Sequence, residues 1–425
     1  MPWMAAAYGY PVPMTMGHLL VITPGIRAYR EYLLRSISRD FRVHLVLTGP
    51  PTWELAYTAG HTVVADLADV DGLVRVARAV DAERALDGVI CWDETWIEQT
   101  AQVAVALGLP GGDPRCVERC RDKHLTRAAL AAARVPQPRS VLVGGRAEAL
   151  AVAEDIGYPV VVKPRALAGS FGVVRADSPT ALVAAVEFTD ASGAWAPDLP
   201  THERNILVEE FARGPEISVD SVVHRGTVTP VCLARKEVGF APYFEETGHV
   251  VDPDDPLWSD TTLTDVVVRT HAALDFTDGV THTEIRLTPA GPKVIEVNAR
   301  IGGGMIPLLN LMGGGPDLAS AAADVACGRT PRLRAATGDR RVAAIRFYYP
   351  PEDDCVIADV RFEESVLPER VVRCGPLAAA GEVKSPPPRG LMDGRVAYAI
   401  ALADDAAACR AALDEAGRAL RVDVA

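Results

Sequence analysis

From His18 onward the chain alternates short runs of apolar and β-branched residues with longer stretches whose apolar positions recur at i, i+3 and i+4. LLVIT (19–23), VHLVL (43–47), TVVADL (62–67) and GVICW (88–92) read as buried strands, and the intervening DVDGLVRVARAV and WIEQTAQVAVALGL carry helical spacing. This alternation predicts a parallel α/β domain, which presents ligands at the carboxyl ends of its strands. Trp92, Asp93 and Glu94 fall at such an end. The two acids either line a substrate pocket or open the next helix, whose first turn favours negative charge.

Gly111, Gly112 and Pro114 then break the pattern ahead of a helix, RDKHLTRAALAAARV, that Pro136 closes. A first boundary is expected near residue 120. Beyond it, VVVKP (160–164), the loop RALAGSFG (165–172), VVRA, a helix around PTALVAAVEF, NILVEEF and EISVDSVVH mix strands and helices as an α+β unit over 121–335. From 336 a further strand set (RVAAIRFYYP, CVIADVRF, VAYAIALA) ends in an amphipathic helix, DDAAACRAALDEAGRAL, and is read as a C-terminal β-rich subdomain over 336–425. Residues 1–17 lack the positive segment of a secretory signal, with no Lys or Arg before Arg27; a disordered leader is expected, with Met14 or Met16 as an alternative start.

At 425 residues, 49% hydrophobic and 23% charged, the chain has the composition of a soluble globular protein of two or three domains. No apolar run reaches membrane-spanning length, so a cytoplasmic protein is expected, with no membrane partner. A formal charge of −13 without a Lys/Arg cluster argues against nucleic acid and for small-molecule partners. The eight cysteines are scattered, and the Cys116/Cys120 pair has no second pair at zinc spacing, so free thiols are expected.

The chemistry concentrates in KVIEVNARIGGG, residues 293–304. On a regular strand Ile295, Val297 and Ala299 would face a core, while Val294, Glu296, Asn298 and Arg300 would share the opposite face. Glu296 and Asn298 thus present side-by-side oxygens, hard ligands suited to Mg²⁺. The preceding strand, THTEIRLT, offers Glu284, and PAGP reads as the hairpin turn between them. A two-residue turn would aim Glu284 away from the other two, so an odd-numbered loop is predicted, placing it opposite Glu296 or Asn298. Gly302, Gly303 and Gly304 directly behind Arg300, followed by Met305, allow backbone to approach a ligand and are read as shaping a substrate pocket. His282, on the face of Glu284, is a residue that touches substrate, acts on an incoming amine, or is held structurally by a hydrogen bond.

Upstream lie the parts of a nucleotide site. Lys163 ends a strand, and the loop with Gly169, Ser170, Phe171 and Gly172 can lay backbone N–H groups over phosphates, although it is not a Walker A loop. Lys123 supplies a second cation, and Lys236 is a candidate third phosphate contact. The backbone of Glu209, Glu210, Phe211 and Ala212 can hydrogen-bond a flat base, and Glu216, after Gly214-Pro215, can accept from a ribose diol.

Taken in order, Lys123, Lys163 with its glycine loop, the VEEF hinge, Glu216 after Gly-Pro, Glu284 and E-x-N-x-R resemble the ATP-grasp superfamily. THTEIRLT, the IEVNARIGGG run and FEETGH (244–249) are most similar to bacterial L-amino-acid ligases, the dipeptide-forming carboxylate–amine ligases. The resemblance implies an ATP-grasp fold (α/β and α+β) with an N-terminal Rossmann-like pre-ATP-grasp domain over 1–120. It further implies an ATP-grasp domain over 121–335 with a mobile nucleotide-covering part at about 136–208, and a C-terminal lid subdomain. It implies ATP and two Mg²⁺ ions, with Mn²⁺ an allowed substitute, and amino-acid or peptide substrates. It also leaves room for a homodimer. In roles, Glu284, Glu296 and Asn298 would hold metal, with Glu296 also counted catalytic; Lys123 and Lys163 would hold phosphates, and Arg300 would steady an acylphosphate. An ATP-grasp carboxylase, a nucleotide-pathway ligase and a catalytically inactive nucleotide-binding regulator are the alternatives.

Overall fold

The computed structural model describes residues 16–195, 205–333 and 339–425. The expected leader lies outside the described residues as far as residue 15, and Gly17 already begins the first strand. Strands β1 (Gly17–Ile22), β2 (Phe41–Leu47), β3 (Gly60–Val63) and β4 (Gly88–Ile90) form a parallel sheet in the order β3-β2-β1-β4. Leu19, Leu20, Val21 and Ile22 are each at most 1% exposed, because helices cover both faces of a parallel sheet and its central strand needs no polar side.

A second sheet holds β5 (Ser140–Val143), β6 (Val160–Pro164), β7 (Val174–Ala176) and β8 (Ile206–Glu210), antiparallel, in the order β5-β8-β6-β7. Its apolar face packs on helices Arg146–Ile156 and Pro179–Ala191 through Ala149, Ala153, Leu182 and Ala185.

The third and largest sheet draws on β9 (Glu216–His224), β10 (Thr227–Gly239), β11 (Glu245–Val251), β12 (Gly279–Thr288), β13 (Gly291–Asn298) and β14 (Val342–Tyr348). The C-terminal segment adds β15 (Cys355–Phe362), β16 (Val371–Pro376), β17 (Val383–Lys384), β18 (Ala397–Ala403) and β19 (Leu420–Val424). The strand order β13-β12-β9-β10-β11-β14-β18-β16 carries one antiparallel sheet from the acidic hairpin into the last hundred residues, while β17-β15-β19 form a small sheet beside it. Segment 336–425 therefore shares its principal sheet with the preceding unit.

The helix read over 121–135 runs over Lys123–Ala132, and a further helix, Pro114–Arg121, precedes it. Asp122 separates them: its backbone is extended (φ −83°, ψ 103°), and its carboxylate accepts from the backbone N–H groups of His124 and Leu125 at 2.9 and 3.3 Å. An acid at a helix start satisfies N–H groups that have no partner within the helix. Arg165 fixes the same carboxylate at 2.6 Å. The break leaves Lys123 at the first position of the second helix. All eight cysteines are free. Among the described residues no helix is long and apolar enough to cross a membrane.

Behind the acidic hairpin, Ile285 is fully buried with Val219, Val294, Val297 and Val266. Truncation of Ile285 to Ala should lower the unfolding free energy by about 2–4 kcal/mol, through lost transfer energy and a residual cavity, as read from the urea midpoint at unchanged slope.

Candidate active site

The register of the β12–β13 hairpin decides whether three oxygen-bearing side chains can meet. Thr288 pairs with Gly291, so the turn holds only Pro289 and Ala290, and Ile285 pairs with Val294. Continued regularly, that register would set Glu284 against Ile295. Instead the ladder slips by one residue, and Glu284 faces Glu296 while His282 faces Asn298. The expected pairing is present, but the predicted odd-numbered loop is replaced by a β-bulge at Ile295. The bulge also corrects the faces: Val294 and Val297 are both fully buried in the core, and Ile295 turns to the cleft.

Around this hairpin lies a cleft of about 560 Å³. It brings together most of the sequence-selected residues: Lys123 and Lys163; Gly169, Ser170 and Phe171; Glu209 to Ala212; Glu216; His282, Glu284, Glu296, Asn298 and Arg300; Gly303, Gly304 and Met305; and Glu94. Asp93 and Glu94 both line it, and the next helix begins only at Ile97.

Three selected residues stand behind the cleft wall. Gly172 is packed where a Cβ would come within 2.3 Å of Ser192 Oγ. Gly302 lies over Asp220, whose carboxylate accepts from its N–H at 3.3 Å. Lys236, read as a phosphate contact, has no exposed side-chain surface and sits among three carboxylates: Glu246, Glu284 at 2.6 Å and Glu216 at 3.4 Å. Oxygens of those acids lie within 4.8 Å of one another, a spacing a metal could use, but the Lys236 ammonium already sits among them and offsets part of their charge.

The other acids and cations are paired across elements. Lys123 Nζ lies 3.1 Å from Glu296 Oε1, and Arg300 Nε lies 2.6 Å from Glu94 Oε2. Glu216 binds Arg286 at 2.7 Å, which engages the carboxylate meant for a ribose. Glu210 binds Lys293 at 2.6 Å. Glu209, selected for its backbone, is buried between Lys163 at 2.7 Å and Arg127, whose Nε donates to it at 2.7 Å. Burial alone would raise the Glu209 carboxyl; Arg127 and Lys163 overcome it and hold it down at about 2. Burial lowers the Lys163 ammonium to about 8 despite Glu209.

His282 does not fit a base for an incoming amine. Its Nδ1 is 2.5 Å from Asp220 Oδ1 and its Nε2 is 3.5 Å from Glu284. Burial disfavours its charge, but Asp220 outweighs burial and raises it to about 9, so both ring nitrogens carry hydrogens at neutral pH. Arg127 and Asp220 were missed in the sequence. Arg127 follows Lys123 by one helical turn, and Asp220 follows Glu216 and Ser218 at strand period on β9; those spacings were the available signals.

The chemistry of the donor set fits a hard cation. One terminal atom of the Asn298 carboxamide lies 3.2 Å from Glu296 Oε1 and 3.2 Å from Glu94 Oε2. With nitrogen there, the amide donates to both acids; with oxygen there, three oxygens converge in the all-oxygen set that Mg²⁺ takes.

Residues 156–307 match the ATP-grasp domain family and residues 46–111 the ATP-grasp N-terminal domain. The chain belongs to the ATP-grasp superfamily. Its ATP-grasp fold aligns with the crystal structure of an L-amino acid ligase from Bacillus licheniformis at a TM-score of 0.79, 22% identity, 96% of this chain and 99% of the other. Among curated proteins it is 29% identical over 315 residues to the uncharacterized protein y4rH of Sinorhizobium fredii, covering 71% of this chain and 63% of that protein. It is 28% identical over 276 residues to alanine–anticapsin ligase of Bacillus subtilis, covering 61% of this chain. The matched region spans only 57% of that ligase's length.

The ATP-grasp cleft carries its own pH signature. Because the Glu209 carboxyl sits below its ordinary value of 4.5, its ion pairs contribute stability above pH 4.5 that is lost as pH falls toward 2, on the order of 3 kcal/mol. Chemical denaturation across that window should show the loss, and Glu209→Gln should be less stable at neutral pH with a flatter acid limb.

Proposed function

We propose that this protein is an ATP-dependent carboxylate–amine ligase that joins two amino acids, releasing ADP and phosphate. The observation that carries the reading is the pairing of Glu284 with Glu296 across the hairpin, with Asn298 on the same face and Lys123 and Arg300 beside them in one cleft. A merely nucleotide-binding protein has no evident need for that combination. The names of similar proteins, alanine–anticapsin ligase and L-amino acid ligase, support amide formation between amino acids.

In the proposed reaction a carboxylate oxygen of one substrate attacks the γ-phosphorus of ATP; the bond to ADP breaks, and an acylphosphate forms. The amine of the second substrate then attacks the acyl carbon, the C–N bond forms, inorganic phosphate leaves and the amine gives up a proton. Glu284, Glu296 and Asn298 would hold Mg²⁺, which when bound neutralises phosphate charge and polarises the group being transferred. Lys123 and Lys163 bring ammonium groups toward the phosphates. Arg300, fastened by Glu94, offers a fixed cation to charge developing on the acylphosphate and the tetrahedral intermediate. The glycine loop around 169–171 lines the cleft, where it would limit water that hydrolyses the acylphosphate. Phosphoryl transfer asks chiefly for such positioning and neutralisation.

The test is ADP release with Mg²⁺ and a panel of amino acids, followed by product mass spectrometry. Stimulation by amino-acid pairs with a condensed product supports the ligase. Stimulation by bicarbonate instead makes it a carboxylase, and no stimulation by any substrate makes it a binding protein. Glu296→Ala should cut turnover by at least about a hundredfold, the cost of roughly 3 kcal/mol of lost electrostatic stabilisation, while the unfolding midpoint stays near the parent's.

A further inference from the structure

One cation in the cleft differs from the rest. Among the described residues, every other lysine or arginine lining it is paired with a carboxylate: Lys123 with Glu296, Lys163 with Glu209, Arg286 with Glu216, Arg300 with Glu94, Lys384 with Glu382 and Arg395 with Glu245. Arg30 lines the same cleft, and no described carboxylate is in ion-pair contact with it. Its one hydrogen bond among the described residues is from Nη2 to the Trp92 carbonyl at 3.2 Å, just beyond β4. Asp93, the nearby acid, is engaged in its own turn, accepting from the Thr95 N–H at 2.9 Å. Burial lowers the proton affinity of the Arg30 guanidinium from its usual value and the charge of Arg300 adds to it, against a smaller opposing effect of Tyr32 and Asp93.

The side chain is nonetheless held in place. Its stem lies on Gly25, whose φ of +82° belongs to the turn after β1 and where a Cβ would stand 3.1 Å from Arg30 Cγ. A buried guanidinium with no carboxylate in contact is costly, and the group that relieves it best is a planar carboxylate received by its two-pronged N–H edge.

We propose that Arg30 is the anchor for the non-reacting α-carboxylate of the amine-bearing substrate. This rests on the ligase reading above. The reacting carboxylate must go to the phosphate end, where Lys123, Glu296 and Asn298 are gathered. The second amino acid keeps its carboxylate into the product, so that charge needs a partner that leaves its amine free. Arg30 is the cleft cation that no described carboxylate pairs, and it comes from the helix Arg27–Ile37 of the N-terminal domain. The protein would then select acceptors with a free carboxylate and discriminate against carboxamides and simple amines.

The experiment compares the acceptor identified by the amino-acid panel with its own α-carboxamide, which cannot serve as the carboxyl donor and so reports on the acceptor position alone. The parent should use the carboxamide with a kcat/KM about thirtyfold lower, a ratio set by one charge-assisted pair. Arg30→Met should raise the acceptor KM by about thirtyfold, leave the KM for ATP within about twofold, and reduce the acid-to-amide preference to near unity. Arg30→Lys should restore part of it. A parent that takes acid and amide equally overturns the proposal without any variant, as does an Arg30→Met protein that keeps the full preference. If no amino-acid pair stimulates ADP release in the parent, the ligase reading falls and this inference with it. Activity with failed discrimination overturns only the role of Arg30.

Discussion

One inserted residue governs the site. Val294 and Val297 must both face the core, yet they are three positions apart, and a regular strand sends such a pair to opposite sides. The bulge at Ile295 resolves the conflict. It keeps both valines buried, turns Glu296 to the cleft, and sets it directly across from Glu284. Two like charges facing each other across a ladder repel, so the hairpin is tenable only where cations are close by. Lys236 from β10 answers Glu284, and Lys123 answers Glu296. Much of the cleft's architecture delivers those counter-charges.

Their delivery explains features that packing alone would not require. Asp122 interrupts what would have been a continuous helix and leaves Lys123 at a helix start beside Glu296. Arg165 locks Asp122, and the Lys123 backbone N–H donates to the Arg165 carbonyl at 3.0 Å, so loop and helix start are tied together. Buried ion pairs give poor stability per residue, because desolvation of both partners offsets most of their attraction. A cleft with this many of them is arranged for charge placement, which fits phosphate and cation chemistry better than it fits cohesion.

The alternation of strands and helices was legible because burial on both faces of a parallel sheet leaves continuous apolar runs. The grouping of Glu284, Glu296, Asn298 and Arg300 was legible because strand period two puts alternate residues on one side. The bulge was not, since an odd loop and a bulge after an even turn shift the register by the same single residue and predict the same pair. Nor was the cap at Asp122, which the helix read from residue 121 placed inside its first turn, nor its tertiary partner Arg165, 43 residues away. Arg127 was hidden for a similar reason: its partner Glu209 lies 82 residues away. The protonation of His282 depends on Asp220 in a neighbouring strand, which the order of residues does not disclose.

Glu94 shows why the N-terminal domain belongs to the site. Its carboxylate lies between Arg300 at 2.6 Å and Arg121 at 3.6 Å, and one of its oxygens is 3.2 Å from the Asn298 amide. A cation taken up by Asn298 and Glu296 would compete with Arg300 for the charge of Glu94, loosening the arginine toward a developing phosphate. Conversely, whatever draws Arg300 away makes Glu94 and Asn298 better cation ligands. Two binding events that share one carboxylate are linked in free energy, and the linkage is reciprocal. In this geometry Glu94, in the loop after β4, would make occupancy of the proposed metal site and readiness of Arg300 parts of a single equilibrium.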